Sequence, residues 1–261
     1  MVGGYAMSPT IVLGNNEFLG FHICHYLLNQ GEDVIGLKWM EARHETEEER
    51  EYLFGRNANY VEVKTIEDIP LEEQSLVCIN LYDTVNRLIE EKEELKQFFD
   101  YVKNQRVLFF LPLTCSDDIQ KELDQWKEHV GEWESVQWIY VSYLYGPWLD
   151  KNAELQRLLA QEKGIALDLS RAIFIEDFLG KWNDLLQLTD KCLIIQGEMQ
   201  RDWQEQCASF FCKIENRTIE MEETEEAQVM IIKATINLKE GIQVLQAHNE
   251  KLVFLDQWKE K

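Results

Sequence analysis

The chain has 261 residues, with 26 Lys plus Arg against 48 Asp plus Glu, which gives a formal net charge of −22. So acidic a chain repels phosphate backbones and anionic membrane surfaces, which excludes nucleic acid and membranes as expected partners. Only 4 prolines and 13 glycines accompany 45% hydrophobic residues, a balance that predicts a packed core rather than disorder.

In chain order, residues 10–13 form a short β-rich run that meets Gly14. Residues 17–29 follow with helical spacing of Phe18, Leu19, Ile23, Leu27 and Leu28, and Gly31 stops them. Residues 33–39 read as a strand, 41–54 as a charged helix, 60–63 and 75–81 as strands. Residues 84–103 read as a long helix, 107–113 as a fully apolar strand, 117–130 as a helix and 136–144 as a strand. This alternation predicts βαβ units around a parallel sheet, an α/β doubly wound fold. The run 107–113 suits a strand buried on both faces.

The remainder is less regular. Helices are expected at 152–163, 176–188, 202–213 and 238–258, with strand-like stretches at 166–175, 192–196, 219–221 and 229–232. The expected division is a Rossmann-like domain over residues 1–146 and a smaller α+β region over 147–261, interleaved with the first. No linker rich in Pro, Gly or Ser separates them. Six cysteines form no CxxC pair, the start of the chain lacks a signal-peptide pattern, and no apolar run approaches the ~18 residues of a membrane span. A cytoplasmic location is the expectation, with no metal site.

The strand–turn–helix around Gly14, Asn15, Asn16, Glu17, Phe18, Leu19, Gly20 and His22 is the most informative segment. A glycine ends the first strand and a second lies near the start of the first helix, where a Rossmann fold brings its backbone to a pyrophosphate. The segment resembles the start of extended short-chain dehydrogenases/reductases, the NAD(P)-dependent epimerase/dehydratase family. Those enzymes open with strand–Gly–x–x–Gly–x–x–Gly. Gly14 matches the first glycine, Phe18 and Leu19 the apolar pair, Gly20 the third glycine, and His22 a structural histidine. Tyr143, Leu144, Tyr145, Gly146 and Pro147 resemble the family's Asn-Val-Tyr-Gly-Pro. Ile173 to Phe178 resembles its His-Val-Asp-Asp-Val, and residues 192–214 its following strand and helix.

The resemblance implies NAD or NADP held by Gly14, Asn15, Asn16, Phe18, Leu19 and Gly20, and a nucleotide or other small-molecule ligand. It also implies a homodimer through helices 84–103 and 117–130, with Phe98, Phe99, Val102, Leu123 and Trp126 as the apolar seam. Lys38, with Arg43, is the candidate reader of a 2′-phosphate, which would favour NADP; a solvated surface lysine is the alternative.

Two departures weigh against the inherited chemistry. Glu17 replaces the middle glycine and adds negative charge beside the expected pyrophosphate. Like charges ~4 Å apart at an effective dielectric of ~20 repel by roughly 4 kcal/mol. The family's catalytic Tyr–Lys pair, four residues apart on one helix, is also missing: helix 117–130 holds no tyrosine. Tyr60 with Lys64 has that spacing but lies on a strand. Thr114 is the candidate for the family's Ser/Thr position. The expectation is a non-catalytic relative acting as a binding, regulatory or structural protein. The rival is an active NADP-dependent oxidoreductase or sugar-nucleotide isomerase with a rearranged site using Thr114, Tyr143 or Tyr145.

Other candidates have plainer readings. His22 and His25 lack a third metal ligand. The acidic residues of helix 117–130 read as caps and solvated surface. Trp126, Trp133, Trp138 and Trp148 read as core, with a stacking or partner surface as the alternative.

Overall fold

The computed structural model describes residues 8–38, 47–71, 75–85, 89, 92–131, 133–210 and 227–259. The expected strand at 219–221, Cys212 and Arg43 lie outside the described residues.

The strands are β1 (Thr10–Leu13), β2 (Val34–Leu37), β3 (Tyr60–Val63), β4 (Leu76–Asn80), β5 (Arg106–Pro112), β6 (Val136–Val141), β7 (Leu144–Tyr145), β8 (Ile173–Phe174), β9 (Cys192–Gly197) and β10 (Gln228–Ile232). The helices are α1 (Phe18–Asn29), α2 (Glu47–Phe54), α3 (Lys92–Val102), α4 (Asp117–Val130), α5 (Glu154–Leu159), α6 (Ile175–Leu179), α7 (Trp182–Gln187), α8 (Trp203–Cys207) and α9 (Leu238–Lys259). The large sheet runs β10-β9-β6-β5-β4-β1-β2-β3, and β7 pairs with β8. β3, β2, β1, β4 and β5 pair in parallel, with Thr10 opposite both Val34 and Leu76. The strand order reverses at β1, the place where open parallel sheets receive ligands beyond the carboxyl ends of their strands.

Two compact units share the chain. One comprises Met1–Tyr140 with Asp190–Leu193, the other Val141–Thr189 with Ile194–Lys261. In the first, β5 buries five consecutive apolar residues, Val107 to Leu111, as its unbroken hydrophobic run requires. Phe98, Phe99 and Val102 of α3 join Leu123 and Trp126 of α4 in the same core.

Several elements are shorter than their sequence patterns. The described part of the long helix begins at Lys92, and Thr84 lies in a turn rather than in that helix. The expected helix at 176–188 is two helices, α6 and α7, which part at Gly180. The strand-like stretch at 166–175 contributes only β8 and one bridge residue, Ala166. Hydrophobic periodicity marks which face is buried; it does not register a change of chain direction inside an apolar run.

α1 shows how local sequence places the site. Its apolar residues cover nearly the whole circumference, and Phe18 to Cys24 are all buried. The helix stops where Gly31 takes φ +81°, with Gly31 N–H donating to the Leu28 carbonyl and Glu32 N–H to that of Leu27. At its other end, Gly20 must lie against the glycine turn. A Cβ on Gly20 would sit 1.9 Å from the Gly14 carbonyl oxygen.

Candidate functional site

The turn between β1 and α1 is built as the sequence predicts. Gly14 takes φ +80°, a conformation that suits glycine, and donates its N–H to the Leu37 carbonyl at 2.8 Å. Asn15, Asn16, Phe18, Leu19 and Gly20 are all buried. The structure thus brings the expected cofactor-binding residues of the turn together, at the carboxyl end of β1.

What surrounds that turn is a set of the protein's own polar side chains. Glu17 is the N-cap residue of α1, is 5% exposed, and its side chain makes no capping hydrogen bond. The cap comes from Asp83 instead: its Oδ2 accepts the Leu19 backbone N–H at 2.8 Å. A carboxylate therefore occupies the N-terminus of α1, where the partial positive charge of a helix otherwise attracts a phosphate. Asn80, at the end of β4, donates from Nδ2 to Asp83 Oδ2 at 2.8 Å and to the Gly14 carbonyl at 3.4 Å. Thr84 Oγ1 closes the turn by donating to the Asn80 carbonyl at 3.0 Å. The Oδ1 atoms of Asn15 and Asn80 are buried without a hydrogen-bond partner.

Arg50 supplies the counter-charge. It is 3% exposed, donates from Nη1 to the Asn16 carbonyl at 2.6 Å, and holds its guanidinium 5.5 Å from the centre of the Phe21 ring. The helix that carries it is fixed by Phe54, which packs on Phe21 and Tyr60 at 5.1 and 4.8 Å between ring centres. Burial, together with the Glu17 charge, raises the Asp83 carboxyl to about 6. The Asn80 and Leu19 hydrogen bonds and the Arg50 charge pull the other way.

The end of β2 is equally filled. Asn15 Nδ2 donates to Tyr60 Oη at 2.6 Å and to Glu62 Oε2 at 3.4 Å. Gly36 is required beneath this pair, because a Cβ there would lie 2.5 Å from Tyr60 Oη and 2.6 Å from Asn15 Nδ2. Lys38 is ion-paired to Glu51 and, at 3.4 Å, to Glu62. One positive charge thus meets two carboxylates at the corner assigned to a 2′-phosphate.

The candidate catalytic residues are dispersed. Thr114 is exposed in the segment between β5 and α4. Its neighbour Cys115 is half-buried, with burial raising its thiol. Tyr143 accepts the Leu155 N–H on its Oη at 3.2 Å, and burial holds its phenol above the usual range. Tyr145 is 1% exposed and packs against α9, where a Cβ on Gly241 would lie 2.6 Å from its Oη. Tyr60 and Lys64 are in and just after β3, and Tyr60 belongs to the Asn15 network.

A tyrosine and a lysine do meet elsewhere: Lys127 Nζ of α4 lies 5.3 Å from the centre of the Tyr140 ring in β6. Burial still raises the Tyr140 phenol, although Lys127 opposes the rise. His22 packs edge-on between Phe18 and Phe21, at 5.0 and 5.2 Å. Among the described residues, no group of three or more His, Cys, Asp or Glu side chains is placed to hold a metal ion. Trp126 and Trp138 are core residues, as expected. Also among the described residues, no helix is long and apolar enough to cross a membrane.

Sequence reasoning found the glycine turn and Glu17 but missed Asp83, Asn80 and Arg50. Asp83 gave one faint signal, a carboxylate just beyond an apolar strand. Its partner Leu19 is 64 residues away in sequence.

No family model matches the sequence, and no curated protein matches it. The structure is similar to UDP-glucuronic acid 4-epimerase from Bacillus cereus, solved in complex with NAD. The TM-score is 0.65 at 13% identity over 94% of this chain and 97% of that one. It is similar to dTDP-glucose 4,6-dehydratase from Bacillus anthracis, also in complex with NAD, with a TM-score of 0.64 at 12% identity over 94% and 97%. Yeast methylglyoxal/isovaleraldehyde reductase complexed with NADPH gives 0.59 at 15% identity over 94% and 99%. The chain therefore has the Rossmann-like fold of extended short-chain dehydrogenases/reductases; at these identities the likeness is one of fold.

Proposed function

We propose that the protein is a non-catalytic relative of the epimerase/dehydratase enzymes, which uses their scaffold as a binding, regulatory or structural protein. The observation that carries this reading is the Asp83 carboxylate on the Leu19 N–H, with Glu17 buried in the same turn. A dinucleotide would bring its pyrophosphate against two carboxylates, in a chain whose net charge is already −22. Its adenosine end would meet Asn15, Tyr60 and Glu62 packed over Gly36. The residues present do not fit the cofactor in this arrangement. A homodimer through α3 and α4 would have to use their outer faces, since Phe98, Phe99, Val102, Leu123 and Trp126 cover the chain's own sheet. A cytoplasmic location accompanies the reading, in keeping with the five described cysteines, all of which are free.

Thermal unfolding tests the proposal. A ligand that binds only the folded state raises its stability by mass action. Millimolar NAD, NADH, NADP or NADPH should each leave the midpoint unmoved; a rise of several degrees with any one overturns the reading.

One observation favours the rival, an active NADP-dependent enzyme. The backbone frame of the turn, Gly14 at φ +80° and Gly20 against its carbonyl, is intact. In that reading Thr114 serves the chemistry, and Thr114→Ala abolishes nicotinamide-linked turnover of a carbonyl or sugar-nucleotide substrate. Unchanged turnover in that variant removes Thr114 from the mechanism.

A further inference from the structure

α9 carries two apolar faces, and its own unit uses one of them. Leu238, Ile242 and Leu245 are fully buried, and Gly241 lies against the Tyr145 ring. Asn249 continues that anchored face through reciprocal hydrogen bonds with Gln156, at 2.8 and 3.2 Å. The opposite face follows a second pattern. Val244, Ala247, Lys251, Phe254 and Trp258 recur at alternating spacings of three and four residues, which is the seam spacing of a coiled coil. All five are exposed, Phe254 by 57% and Trp258 by 67%, and the exposed Leu255 flanks them. The Phe254 and Trp258 rings stand 6.0 Å apart, so the last turns present one joined aromatic surface. Single exposed apolar residues are ordinary, but a contiguous apolar stripe on the face turned away from the core marks a place of contact.

We propose that α9 is a self-association helix, whose outer seam pairs antiparallel with that of a second copy of this chain. Charge selects that occupant first. Residues 238–261 hold four Lys against four Asp or Glu, so this stretch is neutral in a chain of net charge −22. Two copies can therefore meet along α9 without bringing acidic surface into the contact. Side-chain size selects it second. The antiparallel register that sets Lys251 opposite Phe254 also sets Ala247 opposite Trp258. The largest side chain of the seam then meets the smallest, and its one cation meets an aromatic ring. A parallel pair would instead stack Lys251 on Lys251 and Trp258 on Trp258, with repulsion in one layer and crowding in another. The outer faces of α3 and α4 present polar side chains in place of such a seam, among them Lys96, Gln97, Asp100, Lys121, Gln125 and Glu128. Phe254 and Trp258 together would remove roughly 250 Å² per copy from water. That is well short of the ~800 Å² per partner of a standard interface, so the dimer is weak and depends on concentration. Pairing through α9 is independent of what the glycine turn holds.

Sedimentation equilibrium of the full chain, from micromolar to millimolar concentration, tests the pairing. The mass should rise from the 30.9 kDa of one chain towards twice that value. Phe254→Glu should weaken association at least ~10-fold. Ala247→Trp sets Trp against Trp and should weaken it by a similar ~10-fold, and adding Trp258→Ala to that variant should restore it to within ~3-fold of the natural chain. Each altered residue is exposed in a single copy, so the thermal midpoint at micromolar concentration should stay unchanged. If Ala247→Trp lowers that midpoint, Ala247→Phe replaces it, with the same expected and contrary results. A natural chain that stays monomeric at millimolar concentration overturns the proposal, and so does an association that Phe254→Glu leaves intact. Weakening by Ala247→Trp with no recovery in the double variant overturns the antiparallel pairing.

Discussion

The Asp83 carboxylate accepts the Leu19 backbone N–H at 2.8 Å, and so caps a helix at a residue 64 positions earlier in the chain. This hydrogen bond joins the end of the β4 segment to the first turn of α1.

Asp83 makes stability depend on pH with a definite sign. Its carboxyl is pushed up from 3.8 to about 6 by burial and by the Glu17 charge, against Asn80, Leu19 and Arg50. The folded state therefore binds the proton more tightly than the unfolded chain. An ionised Asp83 costs stability above about pH 6, and the cost fades as pH falls through 6 towards 3.8. Asp83→Asn should raise stability by ~1–3 kcal/mol at pH ~8, with the difference vanishing near pH ~4. Thermal unfolding of both proteins across that range checks it; a variant less stable at every pH contradicts it.

Gly20→Ala should be severely destabilising. Its Cβ would lie 1.9 Å from the Gly14 carbonyl oxygen, a backbone atom that cannot swing aside. The cost is ~3 kcal/mol, at the upper end of overpacking. Denaturant unfolding measures it, and a loss well under ~1 kcal/mol would show that α1 moves off the turn without resistance.

Arg50→Met keeps the aliphatic stem and removes the charge. Glu17 and Asp83 would then face each other without a cation, and the Asn16 carbonyl would lose its donor. Removing one side of a buried charge arrangement costs ~3–5 kcal/mol. The Asp83 carboxyl should also titrate at higher pH than in the natural chain, read by carbon-detected resonance of that side chain. A lower titration point contradicts the placement of Arg50.

The fold was legible in the sequence wherever a strand or helix announced itself by burial. β1 and α4 lie where the apolar pattern places them, because β1 buries an unbroken run and α4 one continuous face. Gly14 and Gly20 were legible because a glycine at a strand end followed by one at a helix start serves few other purposes. The closure of the site was not. Asp83, Asn80 and Arg50 are polar residues whose meaning comes from long-range contacts with Leu19, Gly14 and Asn16, and polar residues carry no periodicity that reveals such partners. For the same reason Lys38 read as a free cation, although it pairs with Glu51 and Glu62.

Phe99→Ala separates core from interface. Phe99 is fully buried and packs on Phe109, Trp126 and Trp133 at 5.1, 4.9 and 6.2 Å between ring centres. Its loss should cost ~3–5 kcal/mol of stability without changing the molecular mass in solution. A fall in mass by light scattering, with the fold retained, would assign this residue to a subunit interface instead.

The most direct measurement is isothermal titration of the natural chain with NAD, NADH, NADP and NADPH at neutral pH. A glycine turn occupied by Asp83 and Glu17 predicts no binding of any of the four at micromolar concentrations. Micromolar affinity for any one of them would contradict the account.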